Sequence, residues 1–171
     1  IAKGYLAEAI LNYIALLGWS PGGTREFFTL KELEENFTIE GLSKSPSIFD
    51  IEKLKWMNAE YIRKASPEDF LAMAKPYIVA ATGEDSVLDL NKIAALIQQR
   101  TEILTDIPEK IDFFKELPDY DTAIYCHKKM KTDKENSKVN LEKIIAFFKE
   151  NEADLRGKWQ SSELYAALCE L

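Results

Sequence analysis

One histidine, two cysteines and no long apolar run limit what this 171-residue chain can do before any motif is considered. The sole histidine, His127, has no serine or metal-ligand partner at a meaningful spacing, so it reads as an ordinary, partly exposed side chain and no catalytic constellation forms around it. Cys126 and Cys169 lie far apart and outside any metal-ligand pattern; both are expected to be free buried thiols, with no metal site. No stretch approaches the roughly 18 apolar residues of a membrane span, and no cleavable leader opens the chain, so a cytoplasmic protein is expected. A glycine-rich phosphate loop after a strand is missing too, which excludes a bound cofactor of that kind. Positive charge is in deficit, with 22 Lys and Arg against 29 Asp and Glu and a net charge of -7. Domains that grip nucleic acid by bulk attraction are usually basic, so any such role here must rest on a local strip of cations.

What the chain has is helical periodicity. Composition is ordinary for a globular protein, at 46% hydrophobic and 30% charged residues, and no alternating β-branched run appears, so the expected fold is all-α. Leu6, Ile10, Tyr13, Ile14 and Leu17 form the buried stripe of a first helix that stops at Gly18. Thr29 with Glu32 reads as a capping box for a short helix through Leu30, Leu33 and Phe37. Asp50 caps a helix that buries Ile51, Leu54, Asn58, Tyr61 and Ile62, with Trp56 expected in the core. Ser66-Pro67-Glu68-Asp69 is a strong start signal for a helix carrying Phe70, Leu71 and Met73, which Pro76 kinks or ends before Gly83.

From Asp85 to Leu104 a long helix is expected, buried on Leu90, Ile93, Leu96, Ile97 and Leu104. A short helix with Ile107, Ile111 and Phe114 follows and ends at Pro118. Lys131 to Lys138 reads as a polar loop, Asn140 to Glu150 as an amphipathic helix on Leu141, Ile144, Ile145 and Phe148. Ser161 or Ser162 caps a last helix with Leu164, Tyr165 and Leu168. The chain is expected to form two helical subdomains, residues 1–65 and 66–171. It starts without methionine and ends inside a helical pattern, so both ends read as boundaries within a longer protein.

The stretch from Gly41 to Lys64 organises the reading. One side of its helix carries Lys53, Lys55, Arg63 and Lys64, and the loop before it carries Ser43, Lys44, Ser45 and Ser47. Hydroxyls and ammonium groups of this kind position a protein on a phosphate backbone without reading bases, although a charged face is often only solvated. The lysines at 128, 129, 131, 134 and 138 are interrupted by Asp133 and Glu135 and read as a solvated loop. Trp159, like Trp56, is expected in the core rather than stacked on bases.

The run G-Y-L-A-E-A-I-L-N-Y-I-A-L-L-G-W-S-P-G from Gly4 to Gly22, followed by S-K-S-P-S-I-F-D-I-E-K-L-K-W-M-N-A-E-Y-I-R from Ser43 to Arg63, resembles bacterial-type glutamyl-tRNA synthetase. The resemblance implies a helical stem-contact domain near residues 1–65 and a truncated anticodon-binding domain after it. It also implies that the catalytic domain, with its H-I-G-H-like and K-M-S-K-like motifs and its ATP and magnesium, lies outside this chain. By the same resemblance, Ser20, Glu26, Ser43, Ser47 and Lys53 match positions that contact the inner corner of the tRNA. Glu26 cannot bind phosphate, but its carboxylate can accept from a ribose hydroxyl. Arg100, in Q-Q-R-T-E-I-L-T-D-I-P, matches the family arginine that reads an anticodon base; without the resemblance it would read as a helix-surface arginine paired with Glu102 or a neighbouring acid. The implied partner is tRNA-Glu, not DNA or a membrane, and the implied parent enzyme is a monomer. The rival expectation is a helical protein-interaction scaffold with no RNA role, which the acidic charge suits.

Overall fold

The computed structural model describes residues 3–84, 87–117, 119–152 and 161–170. Among them the chain is all-α, with eight α-helices joined by short 3-10 turns and no named strand. In order these are α1 (Ala7–Gly18), α2 (Leu30–Asn36), α3 (Ile51–Lys64), α4 (Pro67–Thr82), α5 (Leu90–Ile97), α6 (Ile107–Ile111), α7 (Lys134–Glu150) and α8 (Ser161–Cys169). They fall into two compact units, Ile1–Pro118 and Asp119–Leu171.

The first unit is built along α3. Asp50 caps it by accepting from the backbone N-H groups of Glu52 and Lys53, and Asp50's own N-H donates to the Tyr13 hydroxyl at 2.6 Å, which fixes the helix start to α1. Leu54 and Met57 pack with Tyr13 beneath Tyr5, Ile10, Leu16, Leu17 and Phe27. At its other end Ile62 enters a larger core with Phe70, Ala74 and Ile78 of α4, Ile93 and Ile97 of α5, and Ile107 and Ile111 of α6. Apolar burial is the dominant favourable term here, and α3 contributes to both clusters.

Polar groups tie the same segments together. Gln98 Nε2 donates to the carbonyls of Ile62 and Ala65 at 3.0 and 2.9 Å, satisfying acceptors left over at the C-terminal end of α3. Asn58 accepts from Leu6 N-H at 2.8 Å and donates to Glu102 O at 2.5 Å. Leu104 N-H donates to Gly4 O at 3.0 Å, and Gly4, at φ +78°, lies so close that an added Cβ would meet Thr105 N at 2.6 Å. The boundary expected near residue 65 therefore falls inside the first packed unit.

Several expected details differ. The start of the helix expected from Asp85 lies outside the described residues. Asp89 caps α5, and after Ile97 the chain tightens into a 3-10 turn and becomes extended at Thr101, whose buried hydroxyl donates to Ile97 O at 2.8 Å. That side-chain bond competes with continued helix. α4 does not end at Pro76: Ala74 and Ile78 flank it in the core, and the helix runs on to a stop at Gly83. Ile14 and Leu96 are exposed, at 56% and 64%, and Trp56 is 43% exposed beside Phe27, not in the core.

In the second unit, the expected loop from Lys131 to Lys138 is largely helix. Asp133 and Asn136 form a reciprocal capping box that starts α7 at Lys134. Ser137 is buried and donates to Tyr125 O at 2.9 Å. Cys126 and Cys169 are free, as expected, but exposed rather than buried. Ser162 lies within α8 instead of capping it; Trp159 and the Ser161 side chain lie outside the described residues.

Candidate nucleic-acid interface

The residues from 24 to 29 are held against α1 and α3 by Asn12, which has no exposed surface. Its Nδ2 donates to Glu26 O at 2.9 Å, and its Oδ1 accepts from Phe28 N-H at 2.7 Å. The Tyr61 hydroxyl lies 2.6 Å from Asn12 Oδ1 and 2.8 Å from Phe28 O, sharing one proton between two acceptors. Burial pushes the Tyr61 pKa up against the opposing hydrogen bond to Phe28, so the hydroxyl stays a donor. A buried network this well satisfied fixes the backbone that presents Glu26.

Glu26 meets Lys53 across this frame, with Lys53 Nζ 2.5 Å from Glu26 Oε1 and both side chains about two-fifths exposed, at 41% and 39%. Lys53 lines two hollows. One, of about 410 Å³, is lined by Leu16, Trp19, Ser20, Glu26 and Lys53. The other, of about 390 Å³, is lined by Leu17, Ser47, Asp50 and Lys53. Ser43 adjoins them: its N-H donates to Gly18 O at 2.9 Å, while Ser20 N-H donates to Gly41 O at 2.9 Å, the two contacts of a single antiparallel bridge at Trp19 and Leu42. Of the six expected residues, Ser20, Glu26 and Lys53 line one hollow and Ser47 and Lys53 the other, while Ser43 is tied to the end of α1 only through its backbone.

Two of these hydroxyls already have work. Ser47 Oγ donates to Leu17 O, closing the end of α1, and Ser43 Oγ bonds the backbone of Ser45. The cations of α3 are engaged as well. Lys55 pairs with Glu52 at 3.5 Å, Arg63 with Glu60, and Lys64 Nζ lies 4.1 Å above the Phe27 ring. Exposed pairs of this kind are worth about 0–1 kcal/mol, so an incoming phosphate can displace a carboxylate at small cost.

Arg100 stands apart from these hollows. It ends the 3-10 turn after α5, is exposed, and makes no ion pair among the described residues, so the expected alternative pairing with Glu102 is not formed. Its carbonyl accepts from Lys110 Nζ. The sequence reading missed Asn12, whose polar side chain breaks the apolar stripe of α1, and Lys110, which only the fold brings to Arg100.

The family model for the anticodon binding domain matches residues 69–171, more than half of the chain. The chain belongs to the anticodon binding domain family. A second family model, for the catalytic domain of class I tRNA synthetases (E and Q), matches residues 1–56, within the stretch expected as a stem-contact domain. The resemblance to glutamyl-tRNA synthetase stands. The glutamate–tRNA ligase of Clostridium kluyveri is 55% identical over 150 residues, covering 88% of this chain and 30% of that protein. That of Clostridium tetani is 47% identical over 171 residues, covering all of this chain and 34% of that protein. The chain spans about a third of the length of these curated relatives. A glutamate tRNA ligase from Elizabethkingia meningosepticum, solved in complex with its amino acid, superposes with a TM-score of 0.67 at 30% identity, over 81% of this chain and 27% of that one. This family member therefore shares both sequence and fold with glutamate–tRNA ligases.

Proposed function

We propose that this chain is the part of a glutamate–tRNA ligase that holds and orients tRNA-Glu. In this reading residues 1–65 contact the inner corner of the tRNA, and residues 66–171 read its anticodon. The observation that supports it is the pair of hollows that share Lys53, one lined by Ser20 and Glu26 and the other by Ser47, with the Glu26 backbone held by the buried Asn12 network. Phosphate draws Lys53 out of its half-exposed pair, and Glu26 is left to accept from a ribose hydroxyl. Catalysis, the joining of glutamate to tRNA with ATP and magnesium in a monomeric cytoplasmic enzyme, belongs to the longer parent protein. Among the described residues no three His, Cys, Asp or Glu side chains gather as a metal site.

Arg100 is the anticodon-reading side chain in this proposal, since a guanidinium offers a planar fork of donors to a base edge. Arg100→Ala is expected to weaken binding of a tRNA-Glu transcript by about 1–3 kcal/mol and to narrow its preference over a transcript with altered anticodon bases. Unchanged discrimination contradicts the assignment. The pairing of the α3 cations favours the rival scaffold reading, which predicts protein binding nearly indifferent to salt.

A further inference from the structure

The turn that carries Arg100 is held from outside by the side chains of α3. Arg63 Nε donates to Gln99 O at 3.3 Å, and Asn58 Nδ2 donates to Glu102 O at 2.5 Å. The backbone before Arg100 and the backbone after it are therefore each gripped by the same helix. The turn answers in kind, because the Gln98 amide donates back to Ile62 O and Ala65 O at the end of α3. Between these contacts the buried Thr101 hydroxyl donates to Ile97 O at 2.8 Å.

Asn58 has no exposed surface, and both ends of its amide are engaged, since its Oδ1 accepts from Leu6 N-H at 2.8 Å. An amide with a donor partner on one side and an acceptor partner on the other is fixed in one orientation. The Arg100 side chain, by contrast, is exposed. A long side chain at the surface meets a partner reproducibly only when its root is held to within about 0.5 Å. α3 supplies that root. It also carries Lys53, ten residues before Arg63 and so about 15 Å away along a helix axis.

We infer that Asn58 and Arg63 are positioning residues for recognition at Arg100. They act through the backbone of the turn, and α3 works as a rigid spacer between the contact at Lys53 and the contact at Arg100. The inference rests on the tRNA-binding reading and adds to it the residues that aim its arginine.

The test uses the intact chain and two fluorescent transcripts, tRNA-Glu and the same RNA with altered anticodon bases, and reads the ratio of their dissociation constants by anisotropy. Partial misfolding or a lost phosphate contact weakens both transcripts alike and leaves the ratio where it was. A misplaced Arg100 lowers it. Asn58→Ala should lower the ratio about tenfold and Arg63→Ala about threefold, while Lys53→Gln weakens both transcripts and leaves the ratio unchanged. Arg63 is partly exposed, so the thermal midpoint of Arg63→Ala should stay close to that of the parent, and this variant decides the matter if Asn58→Ala does not fold. If Arg63→Ala keeps the parent ratio while Arg100→Ala lowers it, the positioning role is wrong and the tRNA-binding reading survives. If Arg100→Ala also keeps the parent ratio, both are overturned.

Discussion

Asn12 shows how one polar side chain sets the geometry of a face it never reaches. Its amide and carbonyl are both occupied by backbone 14 to 16 residues away, at Glu26 and Phe28. Asn12→Ala strips partners from the Phe28 N-H and Glu26 carbonyl, and an unsatisfied buried group costs about 1–3 kcal/mol. Urea unfolding should report a loss of about 3 kcal/mol for this variant. A loss below about 0.5 kcal/mol, the scatter of surface substitutions, would contradict the network. The same residue explains why the buried side of α1 was legible only in part. Apolar periodicity places Tyr13 and Ile14 inside; the helix does bury Tyr13, but with Ala9 and Asn12 rather than Ile14, because the amide of Asn12 is matched to loop backbone. Polar complementarity across such a distance leaves no periodic signal. The role proposed for Arg100 rests on resemblance alone; the Lys110 bond to its carbonyl depends on a turn between them that composition does not announce.

At the scale of elements, signals confined to a few residues were readable directly. Thr29 and Glu32 form the expected capping box, Asp50 caps α3, and Ser66 with Pro67 starts α4. The box at Asp133 and Asn136 has the same logic with asparagine as the partner three residues on, but its lysine-rich surroundings resemble a loop. The first box carries a pH prediction. The Arg25 guanidinium beside Glu32, joined by the Thr29 N-H, holds the Glu32 carboxyl at about 2, down from an ordinary 4.5. A depressed carboxyl stabilises the fold fully above its unfolded value. That contribution is lost as pH falls from about 4.5 through about 2. Glu32→Gln should therefore show a shallower fall of thermal midpoint with acidification across that window than the parent. Parallel curves would mean that the box does not couple to folding.

For the whole molecule, resemblance divides the chain near residue 65, whereas packing divides it at Pro118. The difference has a physical origin. Ile62 is buried among α4, α5 and α6, Gln98 caps the end of α3, and Leu104 holds Gly4, so residues 1–65 leave much of their core and hydrogen bonding on the following helices. These pairings join residues 36 to 100 positions apart, and helical periodicity, which reads one element at a time, does not reach them. A fragment of residues 1–118 should unfold with one cooperative thermal transition by circular dichroism, and residues 1–65 alone should not. Cooperative unfolding of the shorter fragment would show that the contacts across residue 65 are dispensable. The central claim is that the face around Lys53 and Glu26 holds tRNA. Its most direct test is a titration of the chain with a fluorescent tRNA-Glu transcript at low and moderate salt, beside Lys53→Gln. The account predicts binding that weakens as salt rises, and a slope of log K against log salt smaller by about 0.9 in the variant, as one duplex phosphate contact is lost. Binding indifferent to salt, or an equal slope in Lys53→Gln, would contradict it.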